Sequence, residues 1–299
     1  MGINWREELK SGYAHILKEN VGLAALLALG VGGEAEFFAE PSSLDEVCEI
    51  FRLGIDAGFP IYILGGGTNV VFSDRKVEGV TLSARRLFRV CWDGELLTAE
   101  AGASMPMVVS EAAKRCLTGV EFAYGIPGSL GGAVAGNAGA LGRGVVDILE
   151  EVTTVERDGS VRKWRKGEFS GSYRSCSFFS PYRFIAECKI KFQSASIEDV
   201  KRETEVFKKA RVGQPKKDRN AGCTFKNPVG DSAGRLLDIS GCKGLRVGGA
   251  VVSDVHANFI INSGGASGED IAELIELCRD MVFKKTGVCL ENEIKLLGF

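Results

Sequence analysis

Two glycine-rich runs, one arginine, one cysteine and one glutamate carry the chemistry that residue type and spacing allow. The apolar run 60–64 ends directly in Gly65-Gly66-Gly67-Thr68-Asn69. A buried strand that ends in glycines exposes backbone N–H groups with no side chains in front of them, and such concave rows of N–H bind phosphate oxygens. The run 125–139 repeats the device with Gly125-Ile126-Pro127-Gly128-Ser129, then Gly131-Gly132, and closes on Asn137-Ala138-Gly139. Either loop alone reads equally as a tight turn with no ligand. Together they suit a cofactor whose pyrophosphate bridges both.

Tyr173-Arg174 lies between Gly171-Ser172 and Ser175-Cys176. An arginine in a loop of small residues can grip a carboxylate with two parallel hydrogen bonds, although a solvated surface arginine is the plainer reading. Cys223 stands between Gly222 and Thr224-Phe225-Lys226, where a thiol can supply a proton or simply fill space. Glu293 falls in the stretch 291–297, which reads as a final strand, beside Ile294 and Leu296, and its carboxylate can equally face solvent there. A basic run, Lys208-Lys209, Arg211, Lys216-Lys217 and Arg219, is a solvated helix end or a region that steers a diphosphate.

Two other motifs match in letters only. Residues 30–35 fit G-x-G-x-x-A, but a strand follows where the dinucleotide fingerprint needs a helix. Residues 230–234 fit G-x-S-x-G around Ser232, with Asp238, Asp254 and His256 in hydrolase order. The residues before Gly230 make a poor strand, and too little chain follows to complete that sheet.

The elements that must position these groups follow from pattern. Residues 5–20 read as an amphipathic helix and Phe37-Phe38-Ala39 as a strand. Ser42 or Ser43 caps a helix that ends at Gly58, and 60–64 and 70–72 are strands. Hairpins are expected over 87–102, turning at Asp93-Gly94, and over 152–164, turning at Asp158-Gly159. A helix covers 107–116 and a closing strand 184–192. Helices follow over 197–211, 234–240 and from Ser267, spaced like a capping box with Asp270, to Lys285 before Gly287. The division predicted is α+β in three parts: 1–85 and 86–195 for the cofactor, and 196–299 for the substrate.

With 299 residues, 45% hydrophobic and 25% charged, the chain has ordinary globular composition and length for about two domains. A net charge of −2 gives no basic field for nucleic acid. Nine scattered cysteines without a C-x-x-C pair, and only His15 and His256, speak for reduced thiols and no metal site. The charged first ten residues carry no signal-peptide core, and the weakly polar stretch 21–33 is too short for a bilayer. A cytoplasmic protein with no membrane partner is expected.

The order of these motifs resembles the UDP-N-acetylenolpyruvoylglucosamine reductase family. The matching stretches are Val31-Gly32-Gly33, LGGGTNVVFSD (64–74), GIPGSLGGAVAGNAG (125–139), Tyr173-Arg174, AGCTFKNP (221–228), SAGRLLDISGCKGLRVGGAVVSDVHANFIIN (232–262) and LENEIKLLG (290–298). The resemblance implies a vanillyl-alcohol-oxidase-type module of two α+β subdomains that binds FAD non-covalently, followed by an α+β substrate domain. It further implies NADPH as hydride donor and reduction of the enolpyruvyl group of a UDP-sugar to UDP-N-acetylmuramate, a cell-wall precursor. No oligomer is required for this, and a monomer is expected. Residue by residue, it makes Arg174, Cys223 and Glu293 catalytic. It assigns Gly65, Gly66, Gly67, Thr68, Asn69, Gly125, Ile126, Pro127, Gly128, Ser129, Gly131, Gly132, Asn137 and Gly139 to FAD, and Tyr173, Lys226 and Asn227 to substrate. The length matches the family's compact subtype, without the inserted tyrosine loop. Two departures stand out: Ala28-Leu29-Gly30 replaces a Thr-aromatic-Arg-like triplet, and Cys223 takes the place of the usual serine. The alternatives are an FAD-dependent oxidase or dehydrogenase of the same fold with another substrate, and a binding or scaffold protein without activity.

Overall fold

The computed structural model describes residues 4–215 and 218–299, so Met1-Gly2-Ile3 at the start and Lys216-Lys217 of the basic run lie outside the described residues. The chain divides into two compact units. The first comprises the chain up to Glu19, Phe37–Gly66 and Gly79–Val212; the second comprises Asn20–Glu36, Gly67–Glu78 and Gly213–Phe299.

In the first unit the helix Leu44–Ala57 follows the sequence signals closely. Ser43 caps it, accepting from the Glu46 N–H while the Glu46 carboxylate accepts from the Ser43 N–H, and Gly58 ends it at φ 74°. Such a box contributes about 1 kcal/mol. The helix buries Val47, Ile50, Phe51 and Leu53, spaced for one helical face. The strand Ile61–Leu64 runs parallel to Val77–Ser83, with Leu64 opposite Ser83. This delivers Gly65 at the strand's carboxyl end.

An antiparallel sheet of five strands forms the rest of the unit, in the order Val161–Arg165, Leu149–Val155, Phe184–Lys191, Leu96–Glu100, Val90–Asp93. Both hairpins turn where Asp-Gly pairs stand. The closing strand proves central rather than terminal in this sheet, because its Phe184, Ile185, Ala186, Cys188 and Ile190 are all buried. Met105–Lys114, Leu130–Ala135 and Ile197–Lys209 are helical.

The helix expected over 5–20 is shorter, Trp5–Gly12, and Leu17–Gly22 is a strand. The Ile16 carbonyl accepts from the Glu40 N–H at 2.9 Å, so pairing overrides the helical propensity of Lys18 and Glu19.

The second unit has an antiparallel sheet ordered Arg219–Asn220, Ile260–Asn262, Ala250–Val252, Arg246–Val247. The helices Ala233–Ile239 and Gly268–Thr286 pack on its core through Leu236, Leu237, Ile271, Leu274 and Ile275. The longer helix starts in a capping box of Ser267 and Asp270 and stops at Gly287, φ 75°. Lys295–Leu297 pairs in parallel with Val70–Phe72. The final strand is therefore shorter than the expected 291–297, and Glu293 precedes it. Residues 291–294 turn away to bond elsewhere, as described below.

Candidate functional site

In the first unit, three chain segments meet around the end of the strand Ile61–Leu64. A Cβ built on Gly65 would stand 2.6 Å from the Ser129 Oγ, and one on Gly66 2.5 Å from the Gly128 Cα and 2.8 Å from the Ser129 N. The two glycine loops thus approach so closely that any side chain at Gly66 would collide with backbone. The third segment is 101–105. Its Ala101 and Ala103 carbonyls each accept at 2.8 Å, from the Gly131 and Leu130 N–H groups, and the Met105 N–H donates to Gly128 O at 3.0 Å. Together they enclose a cavity of about 230 Å³ lined by Gly65, Gly66, Arg85, Gly102, Ser104, Gly128 and Ser129. The floor is backbone and small hydroxyls, which suits the close approach of a pyrophosphate and therefore fits FAD.

The glycines divide by duty. Gly131 is a packing residue: its Cβ would lie 2.6 Å from the Ala101 Cβ. Gly139 is required by the short hairpin with Arg143, whose carbonyl would sit 1.9 Å from a Cβ there. The Gly132 N–H is taken by Ser129 Oγ at 3.3 Å, capping the helix Leu130–Ala135. Gly125, at φ +72°, carries the Arg211 stem alongside it, 3.1 Å from a would-be Cβ. Gly125 and Pro127 are exposed and Ile126 half-buried.

Arg174 sits at the turn of a small hairpin, Gly171–Ser172 with Ser175–Cys176, in the left-handed region at φ 54°. A non-glycine residue there costs on the order of 1 kcal/mol, so its surroundings must hold it. They do. Its Nη1 donates to the Gly139 carbonyl at 3.2 Å, which brings the arginine to the end of the second glycine loop. Its guanidinium lies 5.0 Å from the centre of the Tyr173 ring, and Tyr173 is itself 51% exposed. Asn137 joins the same arrangement: its Nδ2 donates to Ser172 O at 2.8 Å and its Oδ1 accepts from Val146 N at 3.1 Å. The buried Asn137 amide is therefore spent on holding the hairpin. The Cys176 thiol anchors the hairpin's other side, donating toward Val134 O at 3.6 Å. Burial pushes that thiol up to about 11, so it stays protonated.

In the second unit, backbone hydrogen bonds join the segments that carry Cys223 and Glu293. Thr224 O accepts from the Glu293 N–H at 2.8 Å and the Ile294 N–H at 3.3 Å, and Phe225 bridges Asn292. Both Cys223 and Glu293 are half-buried. Asn258, which sequence reasoning overlooked, pins this segment. Its amide exchanges two hydrogen bonds with the Phe225 backbone, at 2.9 and 2.8 Å, and its carbonyl accepts from Thr224 N. A buried asparagine inside an apolar run, HANFIIN (256–262), is the signal that was available.

Asn69 also reaches this region: its Nδ2 donates to Glu293 O at 3.1 Å and its carbonyl accepts from Lys295 N. Gly67 is packed against Leu26, whose carbonyl would lie 2.3 Å from a Cβ, and Thr68 is half-buried. Lys226 pairs with the exposed Glu291 at 3.2 Å, and Asn227 Oδ1 accepts from Ala233 N at the start of the helix Ala233–Ile239. Ser232 caps that same helix, accepting from Arg235 N, which gives the hydroxyl of the G-x-S-x-G match a structural duty.

Arg85, Gly102 and Ser104 also escaped sequence reasoning. Gly102 and Ser104 carry a signal of the expected kind, small residues directly after a strand. Arg85 carries none, because only the folded chain brings it to the cavity. Among the described residues no cluster of acidic, histidine or cysteine side chains can hold a metal ion, and no helix is long and apolar enough to cross a membrane. None of the nine cysteines is in a disulfide.

Comparison with known proteins bears on both halves. Residues 35–165 match the family described as FAD binding domain, and residues 214–297 match the UDP-N-acetylenolpyruvoylglucosamine reductase C-terminal domain. The reductase of that name from Clostridium novyi is 35% identical over 94% of this chain and 92% of its own length. That from Rubrobacter xylanophilus is 39% identical over 90% and 91%. The crystal structure of the Thermus caldophilus enzyme superposes with a TM-score of 0.81 at 33% identity, covering 94% of this chain and 99% of that one. A glucose dehydrogenase, Phl p 4.0202, matches 65% of this chain and 44% of its own with a TM-score of 0.52 at 12% identity, a likeness of fold alone. The fold is accordingly α+β with an FAD-binding part of the vanillyl-alcohol-oxidase type. With relatives above 30% identity along nine-tenths of its length, the chain belongs to the UDP-N-acetylenolpyruvoylglucosamine reductase family.

Proposed function

We propose that this chain is an NADPH-dependent flavoenzyme that reduces the enolpyruvyl group of UDP-N-acetylglucosamine enolpyruvate to UDP-N-acetylmuramate, in cytoplasmic peptidoglycan precursor synthesis. The observation that carries the reading is family membership along almost the whole chain, both matched families included. FAD, bound non-covalently, supplies the hydride-carrying ring between NADPH and substrate.

The protein's own residues divide the remaining work. Residues 1–85 and 86–195 serve the cofactor and 196–299 the substrate, and the protein acts as a monomer. The glycines at 65–66 and 128, with Ser129, offer a floor of backbone and a small hydroxyl for the pyrophosphate. Of the other loop residues assigned to FAD, Gly131 packs against Ala101 behind this floor, the Gly132 N–H is capped by Ser129, and Asn137 holds the hairpin at 171–176. Hydride addition places negative charge on the substrate carboxylate, and the Arg174 guanidinium is a fixed cation for it. Glu293 assists at the same carboxyl. The Cys223 thiol gives the proton that completes addition across the double bond, a task that serine also performs. Tyr173, Lys226 and Asn227 contact the substrate.

The test is the visible spectrum of the purified protein under anaerobic conditions. Flavin bands that bleach with NADPH and return on adding the UDP-enolpyruvyl sugar are expected. Bands that bleach but do not return with this substrate would favour a flavoenzyme with another substrate and overturn the assignment.

A further inference from the structure

FAD's pyrophosphate carries two formal negative charges, whereas the glycine loops offer only backbone dipoles. Resting on the FAD reading above, we infer that Arg85 is the cation that compensates this charge. Of the described residues lining the cavity beside Gly65 and Gly128, Arg85 alone is charged.

The backbone that carries Arg85 is held in place. The Ala84 N–H donates to Leu64 O at 2.9 Å, directly before Gly65, so the turn leaves from the end of the strand that bears the first glycine loop. The Leu87 N–H closes on Ala84 O at 3.0 Å, and Gly102 N–H holds Leu87 O at 2.7 Å. The Arg85 N–H is itself received by the buried Ser83 Oγ at 3.3 Å. A Cβ on Gly102 would stand 2.1 Å from Ala84 O, so glycine there is what lets the turn close on the cavity wall. The turn is thus clamped to two segments that line the cavity.

Arg85 and Arg86 are both exposed, but of the neighbouring arginines Arg85, Arg86 and Arg89 only Arg85 lines the cavity, and Arg89 pairs with Glu100 at 2.8–2.9 Å. Arg86 and Arg89 serve as internal controls. A guanidinium suits the role, since its planar fork matches two phosphate oxygens and its charge is permanent.

The experiment titrates FAD into deflavinated protein by flavin fluorescence at low and high salt, for wild type, Arg85→Met, Arg85→Lys and Arg86→Met. Arg85→Met is expected to weaken FAD binding by about tenfold and to flatten its salt dependence, since one ion contact to the ligand is gone. Arg85→Lys should keep the slope with a smaller loss of affinity, and Arg86→Met should match wild type. An Arg85→Met affinity within twofold of wild type, or one that drops with the salt slope unchanged, overturns the assignment while leaving the flavoenzyme reading intact. A wild type that binds no FAD removes both.

Discussion

The backbone N–H of Glu293 donates to the carbonyl of Thr224 at 2.8 Å, so the residue after Cys223 is bonded directly to the Glu293 backbone. Asn258 pins the adjoining Thr224 and Phe225 backbone, and a serine is close to cysteine in size. Cys223→Ser should therefore retain turnover. Cys223→Ala should keep flavin reduction by NADPH but slow reoxidation by substrate about 10²-fold or more, the range of a lost general acid. Stopped-flow absorbance separates the two half-reactions. Normal reoxidation in the alanine variant would remove the proton-donor role.

Arg174 is held in a left-handed conformation with one hydrogen bond to Gly139 O. Arg174→Met should cost about 3 kcal/mol in the substrate half-reaction, roughly a hundredfold, with the NADPH half-reaction unchanged. Equal slowing of both halves would point to a disturbed cofactor site instead.

Asn137→Ala strands Ser172 O and Val146 N–H. Leaving the buried Val146 N–H without a partner costs about 1–3 kcal/mol. Thermal unfolding should register that loss. Substrate KM should rise as the Arg174 hairpin loosens, so a variant with unchanged melting and unchanged KM would show that Asn137 does not position the hairpin.

Gly66→Ala places a Cβ 2.5 Å from the Gly128 Cα, a backbone atom that cannot swing aside. The variant should purify without flavin yet keep its far-ultraviolet circular dichroism. Yellow protein with native FAD affinity would contradict the cradle.

Burial pushes the Glu46 carboxyl up, but hydrogen bonds from the Ser42 backbone and from the His15 and Ser42 side chains outweigh it, and the net direction is down. A folded-state value below the unfolded 4.5 means stability that is present above pH 4.5 and lost as pH falls through the folded value. Glu46→Gln should thus destabilise by about 1 kcal/mol near neutrality and by less at a pH well below 4.5. Urea unfolding at the two pH values decides it, and an equal loss at both would sink the charge argument.

Local chemistry made much of this protein legible from its residues in order. Ser43 with Glu46, Ser267 with Asp270, and Gly58 and Gly287 set helix ends because caps depend on neighbours within one turn. The Asp-Gly pairs set both hairpins for the same reason, and the motif order identified the family. Tertiary structure alone decided the rest. Residues 17–22 became a strand because Ile16 found Glu40, and 291–294 left the final strand because Thr224 and Phe225 offered stronger partners. Asn137 and Asn258 became structural clamps, and Arg85 reached the cavity, through bonds between segments distant in sequence. Those pairings arise only when packing brings remote backbone groups together, since a buried N–H or C=O must find a partner and residue type does not say which one.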